Sequence, residues 1–431
     1  MNKGYVFKAV GATSALVMIA GMGACGSQTA GSDDGGDGQV EISFQTKNLK
    51  SGYEQYFTDL IAAFEKENPD IKVKWIDQPG EGYVNKLSTD AAAGQLPDVF
   101  DLMPGDAYEF AKAGAIENIS KSDPDAEKNF TEGTWAGLTF NGFGIEEGAY
   151  GYPWYMTVGT MFYNKAVLEE CGLDSSTAPT GWEEYFDMAD KFAEKCGDSQ
   201  YYWESAVPTI GSFAVYGVDQ MNADQTEFTI NSDKGVEFVQ HYVDMYKKGV
   251  FSKEAAAANG TQSTDLFKQG QVAVRGGFMY DLKDMKENAP DLYENILVGP
   301  GLGGDILGTS MEMLAVSSTS KHKEAAMKLA EFVTNNENQV QFAKDSQTFP
   351  STAEGYDDPY FQEADDSTLE GQVIKLIGTR LRGARITDPA QFTTQDSTEL
   401  LEQLGAAITG QITAKEALDT VVESANSRLG Q

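Results

Sequence analysis

Chemistry requires particular side chains at particular spacings, and most of the familiar sets are missing from this chain. Its two histidines, His241 and His322, have no serine elbow, CxxC pair or second histidine near them at ligand spacing. A hydrolytic triad and a zinc centre therefore both lack parts. His241 sits in a helical run and His322 at a lysine-rich helix start, and both read as surface residues. Gly299-Pro-Gly-Leu-Gly-Gly304 satisfies GxGxxG after a strand, but no helix follows to receive a pyrophosphate, so it reads as a loop. Asp123-Pro-Asp-Ala-Glu127 begins like a calcium loop, yet Lys128 and Thr134 stand where that loop needs Gly and Glu. With 66 acidic residues, chance carboxylate pairs are guaranteed, and none singles out the acid and nucleophile of a glycosidase. No catalytic residue, metal or cofactor is assigned.

The positive signal is aromatic. Rings make up 11% of the chain and fall in clusters at strand ends and loops: Tyr152/Trp154/Tyr155, Tyr201/Tyr202/Trp203 and Phe278/Met279/Tyr280. Flat rings offer apolar faces to the C–H faces of a sugar, while nearby carboxylates and amides take its hydroxyls. For any single ring, core packing is the competing explanation. The cluster at Tyr152–Lys165 is the organising one. Its aromatic and β-branched residues suit a long strand, Pro153 interrupts it, and a helix from Asn164 to Cys171 follows, stopped by Gly172. The expectation is a strand crossing between two lobes, with Met156–Thr160 as hinge.

The elements around it alternate. Val40–Phe44, Ile71–Trp75 and Pro97–Phe100 read as strands, separated by helical spacing at Tyr53–Phe64 and Tyr83–Ala93. That β-α-β-α-β order implies a parallel sheet covered by helices. Thr180-Gly-Trp-Glu183 and Thr413-Ala-Lys-Glu416 read as capping boxes opening the helices Trp182–Cys196 and Ala417–Ala425. Gly270–Val274, Ile296–Val298 and Met313–Val316 read as further strands, and Lys321–Thr334 as a helix. Arg380, Arg382 and Arg385 read as a surface helix with Leu376 and Leu381 facing inward.

A chain of 431 residues is too long for one core, so two domains or more are expected. Its formal charge of −34 repels nucleic acid and anionic lipid, and is what a soluble exported monomer carries. Lys3 and Lys8 precede a short apolar run, Ala9–Ala20, and Met22-Gly-Ala-Cys25 closes it with small residues. This matches an export signal over residues 1–24, with Cys25 as a lipidation site resembling a bacterial lipobox. Residues 26–38, all small or polar, would be a flexible tether. Acylation would hold the protein at the outer face of the cell membrane through the lipid alone. Cys171 and Cys196 remain. An oxidising site permits a disulfide between them, and two buried thiols serve equally well.

Several segments in order resemble extracellular solute-binding proteins of ABC sugar importers, the class typified by the maltose-binding protein. They are FTDLIAAFEKENPDIKVKW from Phe57, LPDVFDL from Leu96, and the crossing strand ending in Tyr163-Asn-Lys165. Pro179–Glu183, Phe267–Tyr280, Met313–Val333, Phe349–Ser351 and Ile408–Ala417 continue the match, which runs from about Glu41 to the C-terminus. The resemblance implies an α/β, two-lobed periplasmic-binding-protein-like fold, each lobe a β-sheet flanked by helices, joined by a multi-segment hinge. Lobe 1 would hold residues 39–156 and 310–344, and lobe 2 residues 157–309 and 345–431. The implied function is capture of a carbohydrate, an oligosaccharide above all, between the lobes and its delivery to an ABC permease by hinge closure. No enzyme activity or nucleic-acid partner is implied. Carried over residue by residue, Trp154 and Tyr155 would stack on ligand, with Phe278 or Tyr280 opposite. Asn48, Glu81 and Asp101 would supply polar groups from lobe 1, and Trp203 a ring from lobe 2. Two alternatives stay open: the same fold binding a peptide, polyamine or other cation, and an exported glycoside hydrolase.

Overall fold

The computed structural model describes residues 39–197, 199–257, 263–304, 306–378 and 380–429. The expected signal segment, Cys25 and the tether lie outside the described residues.

Twelve strands are present among the described residues: β1 Val40–Lys47, β2 Ile71–Gln78, β3 Val99–Leu102, β4 Thr139–Gly142, β5 Ile145–Ala149, β6 Tyr152–Val158, β7 Thr160–Asn164, β8 Val274–Gly277, β9 Ile296–Gly299, β10 Gly308–Val316, β11 Phe349–Pro350 and β12 Arg385–Ile386. Lobe 1 is built on the sheet β11-β6-β10-β3-β1-β2, with β12 also paired to β10. β1 lies parallel to β2 and β3, as helical crossovers require, while β10 runs antiparallel to both β3 and β6. Lobe 2 carries the small sheet β8-β7-β9 and most of the remaining helices. The hairpin β4-β5 stands apart from both sheets.

Two side chains, Asp98 and Gln339, tie lobe 1 together. Asp98 accepts hydrogen bonds from the Ser43 amide at 2.8 Å, the Ser43 hydroxyl at 2.7 Å and the Ser320 hydroxyl at 2.6 Å, joining β1 to the loops flanking β3 and β10. Gln339, fully buried, donates to the Pro153 carbonyl at 3.0 Å and accepts from the Ser351 amide at 2.9 Å. The helix Asn336–Ser346 is thereby fixed to β6 where Pro153 has no amide to donate. In lobe 2, Cys171 and Cys196 form a disulfide.

The crossing stretch is two strands, broken at Gly159: β6 belongs to lobe 1 and β7 to lobe 2. The Gly159 amide donates to the Gly308 carbonyl at 3.1 Å, and Gly308 and Thr309 pair with Arg385 and Ile386. Three chain segments thus pass side by side between the lobes, an arrangement suited to a hinge.

This geometry moves the expected lobe limits. β6 stays with lobe 1 as far as Val158, and β10 joins it from Gly308. β11 is the edge strand beside β6, so the chain after residue 344 does not all return to lobe 2. The helix Leu369–Gly378 covers β9 of lobe 2, the chain revisits lobe 1 at β12, and the helices Thr394–Ile408 and Ala414–Leu429 complete lobe 2. Short edge strands are easily missed in sequence because two residues carry no periodicity.

Smaller expectations also change. Thr413 and Glu416 form their capping box, but Thr180 bonds Glu184 rather than Glu183. The arginine group is not a helix: Leu381–Gly383 is a 3-10 turn and Arg385 begins β12. His241 is half-buried and stacks on Phe186 at 3.9 Å, so burial lowers its pKa.

Candidate functional site: the interlobe cleft

Between the lobes lies a cavity of about 740 Å³, walled by Leu49 and Tyr53 from lobe 1, Tyr155 and Thr157 from β6, and Phe278 and Tyr280 from lobe 2. Ser310 and Glu312 on β10 also line it. A second cavity of about 470 Å³ continues from Phe278 and Ser310 into lobe 2, past Arg275, to Glu204, Tyr185 and Tyr242. A third, of about 170 Å³, opens between Met103 and Phe392 and again touches Ser310. The shared residues make these three spaces one branching cleft.

The aromatic walls follow from local structure. After β8 the chain turns through Phe278–Tyr280, and the Asp281 carboxylate holds that turn by accepting from the Phe278 amide at 2.9 Å. The Phe278 and Tyr280 rings then stack at 5.4 Å and 17°. Tyr280 is 43% exposed and Met103 39%, the two exposed large hydrophobics among the described residues, and both line the cleft. Apolar surface left in water at a concave site is the usual mark of a ligand's place.

On the lobe 1 side the polar groups come from strand ends. The Lys47 amide donates to Asp101 Oδ2 at 3.0 Å, and the Lys47 ammonium reaches Glu312 Oε1 at 2.9 Å. Asp101 Oδ1 and Glu312 Oε2 are buried without a partner. Burial, then the neighbouring Glu312 charge, pushes Asp101 well above the ordinary carboxylate range despite the opposing pull of Lys47. Burial raises Glu312 too, against the pull of Lys47. Two carboxylates and one ammonium in so dry a place are best accommodated with one shared proton.

Tyr155, Phe278 and Tyr280 are therefore where the sequence places them, on the cleft wall, with both members of the uncertain pair present. The other five expected ligand residues are not. Trp154 is fully buried, stacked on Phe342 at 5.6 Å and edge-on to Phe57 at 6.0 Å, because the helices Lys50–Glu67 and Asn336–Ser346 close over it. Trp203 is likewise fully buried in the lobe 2 core among Tyr163, Tyr185 and Phe192. Its neighbour Glu204 lines the cavity instead, since successive residues of an extended segment point to opposite sides. Asp101 is fully buried and lines neither large cavity; Glu312, which it adjoins, does. Asn48 and Glu81 are exposed and line neither of the two large cavities. Asn48 has φ +56°, a left-handed conformation that asparagine tolerates, and turns the chain from β1 into the next helix. Sequence reasoning missed Tyr53, Glu204 and Glu312, whose types are common throughout the chain and whose positions carry no motif.

The model of the bacterial extracellular solute-binding protein family matches residues 48–340. This chain belongs to that family. As a member, it is a bacterial extracellular solute-binding protein. The galactooligosaccharide-binding protein of Bacillus subtilis (strain 168) is 23% identical over 432 residues, covering 95% of this chain and 94% of the relative. The multiple sugar-binding protein of Streptococcus mutans serotype c is 28% identical over 188 residues, covering 43% of this chain and 40% of the relative. An ABC substrate-binding protein of Listeria monocytogenes, solved in complex with cycloalternan, superposes with a TM-score of 0.71 at 24% identity, covering 91% of this chain and 99% of the other. The cyclic alpha-maltosyl-1,6-maltose binding protein of Arthrobacter globiformis gives 0.74 at 18% identity, covering 91% and 100%. These structures share the two-lobed fold of this solute-binding protein.

Proposed function

We propose that this solute-binding protein captures an oligosaccharide in the interlobe cleft and delivers it to an ABC permease. The observation that carries this reading is the stacked pair Phe278/Tyr280, exposed on one wall of the cleft that Tyr155, Tyr53 and Glu312 complete. Rings and hydrogen-bond acceptors on facing walls suit a ligand with apolar C–H faces and many hydroxyls. The B. subtilis and S. mutans relatives, named for galactooligosaccharides and multiple sugars, agree with it. A ligand touching both lobes stabilises the closed arrangement, and the permease then distinguishes closed from open. A polyamine or other cationic solute is the second reading, favoured by the carboxylates along the cleft.

A thermal-shift panel of maltotriose, galactotriose, short peptides and spermidine tests it. An oligosaccharide that binds should raise the midpoint in proportion to the logarithm of its concentration. A rise with spermidine and none with any sugar would replace the first reading by the second. The anchor is a separate proposal: Cys25 is acylated after cleavage and tethers a monomer to the outer face of the membrane. The Cys171–Cys196 disulfide is in keeping with an oxidising site outside the cytoplasm. Cys25→Ala should release the protein from the membrane fraction; retention there would refute the anchor.

A further inference from the structure

The inner branch of the cleft has a composition that the general reading leaves unexplained. Glu204 is 7% exposed and lines the 470 Å³ cavity. The Tyr185 hydroxyl donates to Glu204 Oε2, and Tyr242, whose ring lines the same cavity, also bonds this carboxylate. No ammonium or guanidinium is among the groups acting on it. Among the described residues, the one cation on the cavity wall, Arg275, is paired with Asp281 at 3.3 Å. Burial pushes Glu204 up to about 7, and the two tyrosine hydroxyls only partly counter this. Nearby, the Tyr163 hydroxyl is buried without a partner.

A buried carboxylate without a counter-charge is costly, and a purely structural role could be filled by an amide or a hydrocarbon. Here it opens onto space instead. The remaining walls fit a flat ring: Gly159, Gly276, Gly301 and Gly308 leave backbone partly exposed, and Trp182 adds an aromatic face. Without side chains, a ligand can approach the glycine backbone closely. The branch therefore offers acceptors and apolar faces, and its Arg275 guanidinium is already paired.

We propose that Glu204 is the specificity-determining residue of a deep subsite in lobe 2 that accepts a ring bearing hydrogen-bond donors and excludes ligands carrying negative charge. This rests on the cleft being the ligand site, and it narrows the ligand to neutral or amino sugars over uronic acids and sugar phosphates. Hydroxyls of a neutral ring, or the ammonium of an amino sugar, would donate to the free lone pairs of Glu204. When Glu204 is ionised, above about pH 7, a uronate or phosphate would meet like charge in a place of low dielectric, where repulsion is strong.

The test is calorimetric titration of the intact protein with galactotriose, maltotriose, trigalacturonic acid and spermidine, repeated on Glu204→Gln. The expected result is a neutral trisaccharide binding at least tenfold more tightly than trigalacturonic acid. Glu204→Gln should lower the neutral affinity at least tenfold and narrow the gap to the acid. Since a buried substitution can disturb folding, Ala206→Phe serves as a second variant: it narrows the cavity, leaves the carboxylate and its tyrosines in place, and should also abolish binding. If spermidine alone binds and Glu204→Gln weakens it tenfold, the carbohydrate reading falls while the role of Glu204 stands. If a neutral sugar binds with unchanged affinity in folded Glu204→Gln and Ala206→Phe, the oligosaccharide reading stands and the subsite is overturned. Equal affinity for the acid, or no binding by any of the four probes, overturns the subsite as well.

Discussion

The two walls of the cleft each bury acidic groups, and they balance that charge by different means. On lobe 1, Lys47 gives its ammonium to Glu312 and its backbone amide to Asp101, whose charge the ammonium also offsets, with every group rooted in the strands β1, β3 and β10. On lobe 2, Glu204 has tyrosine hydroxyls and no cation. A carboxylate beside an ammonium has its charge offset before any ligand arrives, and here the pair also joins strands. One with only neutral donors keeps acceptor lone pairs directed at the cavity, which is what recognition of donors requires. The contrast suggests a division of labour, with lobe 1 as the rigid platform and lobe 2 as the reader of ligand chemistry.

Lys47→Met is the strongest way to break this comparison. It strands two buried carboxylates without a counter-charge, and a loss of about 3–5 kcal/mol in urea unfolding is expected. The double variant with Glu312→Gln should recover much of that loss. A single variant as stable as the parent would show that lobe 1 is not internally balanced.

The pH dependence of stability comes next. Glu204 titrates at about 7 in the folded protein, whereas an ordinary glutamate titrates near 4.5. Between those values the folded chain holds a proton that the unfolded chain has lost, so stability should fall as pH rises through this window. The contribution is about 2 kcal/mol between pH 5 and 7. Asp101 and Glu312, both raised, act in the same direction. Glu204→Gln should remove the lobe 2 share, read as a flatter plot of unfolding free energy against pH. An unchanged slope would mean that Glu204 remains ionised throughout.

The smallest expected effect belongs to Tyr280→Ala. An exposed ring contributes little to folding, so stability should change by less than about 0.5 kcal/mol. Loss of its stacking on ligand should weaken binding by about 1 kcal/mol, read by calorimetry with the sugar that the panel identifies. A large stability loss without a change in affinity would return Tyr280 to a packing role.

Legibility divided along a physical line. The alternation around β1, β2 and β3 was plain because parallel strands and their helices carry long hydrophobic periods, and the crossing stretch because its residues suit a strand, although its break at Gly159, inside the expected hinge Met156–Thr160, is seen only in the structure. Tryptophan was the misleading signal. Trp154 and Trp203 sit in aromatic clusters of the composition expected for a sugar site, yet both are enclosed, since an indole buries more apolar surface than a tyrosine and core packing favours it. Their neighbours Tyr155 and Glu204 line the cleft. A displacement of one residue was enough to exchange core for cleft.

By itself, then, the sequence determined the class of this protein: two α/β lobes, a crossing strand, an acidic surface and no assembled catalytic set. The two lobes were implied by the resemblance of ordered segments to a known family, and the rest follows from local periodicity, composition and residue type. Only the tertiary structure decided which acidic residues matter, because the significance of Glu204, Glu312 and Asp101 lies in desolvation and in neighbours 19 to more than 200 positions away, such as Tyr185 and Lys47. The same holds for the crossing stretch. Its order of residues announced a passage between lobes, but which of its rings faces water was settled by the helices that close over Trp154 and leave Tyr155 beside the cavity.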